Sequence, residues 1–230
     1  MSEAGGTFIH ALGLGIAPEW RRRDLAERRA DLDAFCEADV EAIGDGVRSL
    51  VYSSIGLEPG TDLLLWRTAS RVDALETAAA RLLRTSLGGW LTVTQSFLGR
   101  MGPSQYVVKP SDQESGLTGE GRGRYVVVYP FTKSTDWYLQ ARETRQGVMN
   151  EHMRVGRSYP SVRQALAYSF GLDDQDFVVA YETDDLDAFG DLVRELRGTD
   201  SRRSTIRDTP LLLGIARPFD EIAALLGAGS

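Results

Sequence analysis

The sequence carries one pattern twice. Tyr52-Ser53-Ser54-Ile55-Gly56-Leu57-Glu58 is answered by Tyr168-Ser169-Phe170-Gly171-Leu172-Asp173, and Asp62-Leu63-Leu64-Leu65-Trp66 by Asp176-Phe177-Val178-Val179-Ala180. Pro18-Glu19-Trp20 and Thr135-Asp136-Trp137 each precede a charged helical run, and the offset stays near 116 residues, the distance from Tyr52 to Tyr168. Self-similarity at one spacing marks a duplicated unit. The chain is therefore expected to fold as two copies of one motif.

Each copy reads strand, helix, strand, strand, helix, strand. In the first, the strands are Phe8–Leu14, Val47–Ile55, Asp62–Thr68 and Leu91–Leu98, with helices near Arg22–Ile43 and Arg71–Thr85. In the second, the β-branched run Arg124–Tyr129 predicts a strand, and Leu139, Val148, Met149 and His152 lie at helical spacing between Trp137 and about Arg154. Arg163–Ser169 and Asp176–Glu182 flank a Gly-Leu-Asp-Asp turn and predict a hairpin. Asp184 or Asp185 caps a helix bearing Leu186, Phe189, Val193 and Leu196, and Leu211–Ala216 closes the pattern. The order βαββαβ is the ferredoxin-like arrangement, with helices on one face of an antiparallel sheet. The expected fold is thus α+β, a duplicated ferredoxin-like chain with two antiparallel sheets packed together and helices outside. Residues 1–108 form the first half, 109–123, rich in Gly, Ser and charge, the linker, and 124–230 the second half.

A chain of 230 residues with 42% hydrophobic content supports one sizeable domain or two small fused ones. The net charge of −7 and the lack of any Lys/Arg-rich block speak against a nucleic-acid partner. Arginine far outnumbers lysine, of which only Lys109 and Lys133 occur. The single cysteine, Cys36, excludes an intrachain disulfide framework and a Cys-based metal cluster. With no basic region before an apolar run at the N-terminus and no membrane-spanning stretch, a cytoplasmic protein without a membrane partner is expected.

Two histidines exist, His10 and His152. His10 sits in the first strand near the terminus and reads as structural or exposed. His152 lies beside Met149 and one turn from Val148 on the long helix of the second copy. There it is either a partly buried histidine with a satisfied hydrogen bond or a ligand. The matching place in the first copy holds Phe35 or Cys36, so one copy has a potential axial ligand and the other does not. A mononuclear zinc or iron site needs several side chains together, and no His-x-x-x-His or two-His-one-carboxylate spacing is present. A single imidazole suffices where a porphyrin supplies the equatorial ligands. No Gly-x-Gly-x-x-Gly follows a strand, and no loop cradles phosphate.

The residues resemble the chlorite dismutase-like heme proteins, a family that includes chlorite dismutases and coproheme decarboxylases. In the second half the resemblance rests on Tyr129-Pro130-Phe131-Thr132-Lys133, Asp136-Trp137-Tyr138, Asn150-Glu151-His152 with Gly156-Arg157, Tyr168 to Asp174, and Arg207-Asp208-Thr209-Pro210. In the first half it rests on Pro18 to Arg22, Leu65-Trp66-Arg67, Leu87-Gly88 and Ser104-Gln105-Tyr106-Val107. It implies heme, as iron coproporphyrin III or protoheme, held in the C-terminal half, with His152 as iron ligand. It also implies a ring-shaped homo-oligomer, usually a pentamer. A carboxylate commonly orients such a histidine, and Asp200 is near the expected position.

Within that family the resemblance favours a decarboxylase. Chlorite dismutases carry a distal arginine about seven residues before the glycine of the Gly-Leu-Asp turn, where this chain has Gln164. A neutral amide holds an anionic oxidant less well than a guanidinium. The Tyr129-Pro-x-x-Lys133 pattern is likewise that of decarboxylases. The implied chemistry uses hydrogen peroxide: Tyr129 becomes a radical, takes hydrogen from a propionate, carbon dioxide leaves and a vinyl remains, and two rounds give protoheme. Lys133 would bind a propionate or assist proton transfer; Arg122, Arg124, Ser104 and Tyr106 are candidates for other propionates. Trp137 and Trp20 occupy equivalent places and read as packing. The alternatives are a chlorite dismutase or weak heme peroxidase, a non-catalytic heme-binding protein, and a ferredoxin-like protein without ligand.

Overall fold

A computed structural model describes residues 6–102, 104–106, 113, 116–117 and 122–229. It shows a mixed α/β chain with antiparallel strands, dividing into two compact units, 1–100 with 212–230, and 101–211. Most of the expected linker, 109–123, lies outside the described residues.

The first unit contains β1 (Phe8–Ile16), α1 (Leu25–Glu41), β2 (Arg48–Glu58), β3 (Thr61–Ala69), α2 (Val72–Leu83) and β4 (Leu91–Met101). Its strands pair in the order β4-β1-β3-β2, antiparallel throughout, with Leu12 opposite both Leu65 and Ser96. That is the order expected of a ferredoxin-like motif. Gly60 takes positive φ at the tight β2–β3 connection, and Gly56 does so at the irregularity within β2, a backbone region L side chains avoid. Leu12, Leu14, Leu63 and Leu65 point to one face and bury against Leu32 and Phe35 of α1 and Leu82 of α2. Two polar groups enter this interior paired: Trp20 Nε1 donates to Asp31 at 2.8 Å, and the fully buried Arg67 bridges to Asp39 at 2.8 Å.

The C-terminus differs from expectation. β9 (Leu212–Ala216) pairs with β2, placing Ala216 opposite Tyr52, and α6 (Phe219–Leu225) adds Ile222 to the core around Phe35. The strand that ends the second sequence repeat thus joins the strands of the first repeat. The expectation of one separate sheet per half is corrected at this point. The physical reason is the apolar set Phe219, Ile222 and Leu226, which finds its burial on α1, where Phe219 stacks on Phe35 at 6.1 Å.

The second unit contains β5 (Tyr125–Lys133), α3 (Thr135–Leu139), α4 (Arg142–Arg157), β6 (Arg163–Tyr168), β7 (Phe177–Thr183), α5 (Leu186–Leu196) and β8 (Thr205–Arg207). Its strands pair in the order β6-β7-β5-β8. The helix expected from Trp137 to Arg154 is two helices. Ser134 caps α3 by accepting from the Trp137 N–H, and the extended backbone of Gln140 and Ala141 separates it from α4. Asp185, not Asp184, caps α5, accepting from the Ala188 N–H at 2.9 Å. Among the described residues no helix is long and apolar enough to cross a membrane.

Candidate functional site

Strand alternation builds the site. Successive side chains of a strand point to opposite faces, so Tyr129, Phe131 and Lys133 of β5 share one face. Registers of Tyr129↔Val179 and Phe131↔Phe177 put Phe177, Val179 and Tyr181 of β7 on that same face. Gln164↔Tyr181, Leu166↔Val179 and Tyr168↔Phe177 add the alternate residues of β6. α4 lies over them. Arg145, Met149, His152 and Met153 recur at helical spacing, so one stripe of the helix meets one face of the strands. Between them lies a cavity of about 230 Å³ walled by these residues other than Tyr129, with Ser104, Tyr106 and Trp137. A second chamber of about 130 Å³ shares the wall formed by His152, Lys133, Met149 and Tyr181, and holds Tyr129, Arg202 and Asp208.

His152 is the central group. Its Nδ1 is buried and has no hydrogen-bond partner. Burial, then the charge of Lys133, lowers its pKa to about 4. It is therefore a neutral imidazole at pH 7, the form that ligates a metal. Asp200, expected to orient it, does not: its carboxylate pairs with Arg203 at 3.3 Å, and its backbone N–H donates to Glu151 at 3.1 Å. Among the described residues no group of three or more His, Cys, Asp or Glu could hold a bare metal ion. A donor set of one unpartnered imidazole in an aromatic-walled cavity fits an iron porphyrin, whose macrocycle brings the other ligands.

Tyr129 stacks on Tyr181 with ring centroids 6.0 Å apart. Burial, then the proximity of Tyr181, pushes the Tyr129 phenol well above its ordinary value, so it stays protonated. Lys133 is almost fully buried. Its ammonium donates to the Ser201 carbonyl at 2.9 Å, to Ser201 Oγ at 3.0 Å and to Thr205 Oγ1 at 3.0 Å, and lies 4.8 Å from the Trp137 ring centroid. An ammonium has three protons, so all are engaged. Burial, then the charge of Arg202, lowers its pKa to about 8.

Of the residues singled out in the sequence, His152, Tyr129, Lys133, Gln164, Ser104 and Tyr106 all line the two chambers. Arg122 and Arg124 do not; they are exposed, and Arg124 lies over the Tyr125 ring at 5.2 Å. The reason is strand length. Arg124 precedes β5 and Lys133 ends it, a separation of about 30 Å at roughly 3.3 Å per residue. Trp20 is a packing residue, as expected, whereas Trp137 is both buried and part of the cavity wall. Sequence reasoning missed Arg145 and Tyr138. Tyr138 donates to Asp176 at 2.7 Å, and burial and that bond push its phenol upward. Arg145 carried a usable signal, lying seven residues, two helical turns, before His152.

The chain is similar to known proteins over most of its length. A family profile described as chlorite dismutase matches residues 26–217. A coproheme decarboxylase of Mycolicibacterium smegmatis is 34% identical over 207 residues, 88% of each chain. A chlorite dismutase of Ideonella dechloratans is 28% identical over 240 aligned positions, 99% of this chain and 82% of that protein. The solved structure of chlorite dismutase from Candidatus Nitrospira defluvii in complex with imidazole matches with a TM-score of 0.87 and 26% identity, covering 98% of this chain and 96% of that one.

Proposed function

The chain belongs to the chlorite dismutase family, and we propose that it removes two propionate carboxyls from iron coproporphyrin III in a peroxide-dependent oxidation that yields protoheme. The observation that carries this reading is the neutral, buried His152 with its unpartnered Nδ1, set in chambers that also hold Tyr129 and Gln164. The iron porphyrin, as substrate, supplies the redox-active metal at which peroxide is consumed. In each round one propionate and one peroxide, with one proton, give one vinyl group, one carbon dioxide and two waters. His152 holds the iron. Tyr129, kept protonated by burial, is the hydrogen-atom relay: it loses its phenolic hydrogen and recovers one from the propionate side chain. Gln164 offers the cavity a neutral amide, which favours uncharged peroxide over an anionic oxidant. Trp137, Phe131 and Phe177 keep water from the reacting carbon. The same reading includes a cytoplasmic homopentamer, checked by the mass of the particle in solution.

The test is titration of the purified protein with ferric coproheme, followed by peroxide and mass spectrometry of the porphyrin. Successive loss of two carboxyl groups is expected. Binding without mass loss would leave a carrier, oxygen release on adding chlorite would point to the chlorite reaction, and absence of binding would overturn the reading.

A further inference from the structure

We infer that Arg145, rather than Lys133, is the residue of the larger chamber that binds a porphyrin carboxylate. The inference rests on the porphyrin reading above and deepens it. Among the described residues, the larger chamber is lined by two basic side chains, Lys133 and Arg145, and by no aspartate or glutamate. Its field therefore favours an anionic ligand. The two cations differ in what they have left to give. The Lys133 ammonium is saturated by Ser201 and Thr205. The Arg145 guanidinium makes no hydrogen bond or ion pair with any described residue, and its Nε is buried without a partner.

The contrast extends to the neighbouring chamber. There Arg202 and Arg197 share one carboxylate, Asp208, at 2.5 and 4.0 Å, so each already has an ion-pair partner within the protein. Arg145 stands apart because its helix stripe, shared with Met149 and His152, carries no acid, and the nearby Asp176 is taken by Tyr138 and the Lys133 backbone N–H. A buried donor without an acceptor is costly. A carboxylate arriving with the ligand would satisfy it, and the planar fork suits two-point binding. Placed two turns from the iron ligand on the same stripe of α4, Arg145 would fix the porphyrin's rotation about the axial bond. It is a specificity-determining residue for the carboxylate substituents, not a group that takes part in the oxidation.

The test uses the full chain and iron-free coproporphyrin III, so that neither axial ligation nor turnover contributes. Affinity is measured by porphyrin fluorescence for the tetra-acid and for its tetramethyl ester, in wild type, Arg145→Met and Arg145→Lys. The tetra-acid is expected to bind Arg145→Met about tenfold or more weakly, the scale of one charge-assisted hydrogen bond. The ester should bind both proteins alike, and lysine should restore part of the loss. Equal tetra-acid affinity in wild type and Arg145→Met would overturn the inference, as would an equal loss for acid and ester. A loss confined to nitrite binding by the iron-loaded protein would do the same, assigning the guanidinium to a small anion. If wild type binds neither porphyrin, the functional reading itself fails. Should the methionine variant not fold, Arg145→Gln is judged by the same criteria.

Discussion

Replacing Lys133 by methionine separates the cost of burying a charge from the worth of its hydrogen bonds. The Lys133 ammonium is 7% exposed and has three acceptors, yet its pKa is lowered from 10.5 to about 8, by burial first and by Arg202 second. The folded state thus binds this proton less tightly than the unfolded chain does. Stability rises with pH wherever the unfolded state holds more protons. The penalty is fully present below about pH 8 and relieved between 8 and 10.5. At about 1.4 kcal/mol per unit, a shift of this size amounts to about 3 kcal/mol. Methionine has the same reach and no charge, so Lys133→Met lacks the pH term. Urea unfolding of both ligand-free proteins at intervals from pH 7 to pH 10 gives the difference directly, with other titrations cancelling. The stability gap should move in favour of wild type by about 2–3 kcal/mol across that range. A gap independent of pH would refute the claim that burial dominates. A gap moving the other way would mean that Ser201 and Thr205 more than offset the loss of water.

Four further outcomes follow from the geometry. Tyr129→Phe keeps the ring stacked on Tyr181 but removes the phenolic hydrogen, so coproheme affinity should hold within about twofold while carboxyl loss on peroxide addition falls by at least about a hundredfold, the scale of a positioned proton-transfer group; retained decarboxylation excludes Tyr129 as the relay. His152→Ala should change the Soret band of the ferric complex, and an identical spectrum would remove His152 as the iron ligand. Gln164→Arg places a guanidinium on the cavity wall and should raise fluoride or azide affinity of the iron-loaded protein about tenfold, one charge-assisted hydrogen bond's worth; unchanged affinity would place residue 164 away from the iron. Gly15→Ala would put a Cβ 2.0 Å from the Gly60 carbonyl oxygen, backbone against backbone, so the urea midpoint should fall by the equivalent of about 1–3 kcal/mol.

Sequence periodicity reported the fold well where each element buries its own face. The hairpin β2–β3 and the strands β6 and β7 are marked by apolar runs bounded by turn residues, and their limits fell within a few residues of those observed. It reported the C-terminus less well. Phe219, Ile222 and Leu226 are too few to announce a helix by themselves, and their burial depends on Leu32 and Phe35, nearly two hundred residues earlier. The duplicated pattern also suggested that each copy keeps its own last strand, whereas the β2–β9 pairing is set by hydrogen bonding that leaves no mark on side-chain periodicity.

The same division runs through the candidate site. Residue type and spacing identified His152, Tyr129, Lys133 and Gln164, because each lies in a short distinctive string and strand or helix geometry then fixes its direction. What a string cannot carry is whether a polar group still has a hydrogen bond to give. Lys133 reads in sequence as the free cation and Arg145 as one of many arginines on a charged helix. Ser201 and Thr205 reverse that order. They lie about seventy residues beyond Lys133, in a 3-10 turn (Asp200–Ser204) and the short β8 that follows it, and they occupy all three ammonium protons. Arg145 has no acid partner among the described residues, and the nearby Asp176 is bonded to Tyr138 and to the Lys133 backbone N–H. Since a saturated donor gains little from a new acceptor while a buried, unpartnered one gains more, ligand binding in this cavity is expected to follow unsatisfied donors more closely than charge.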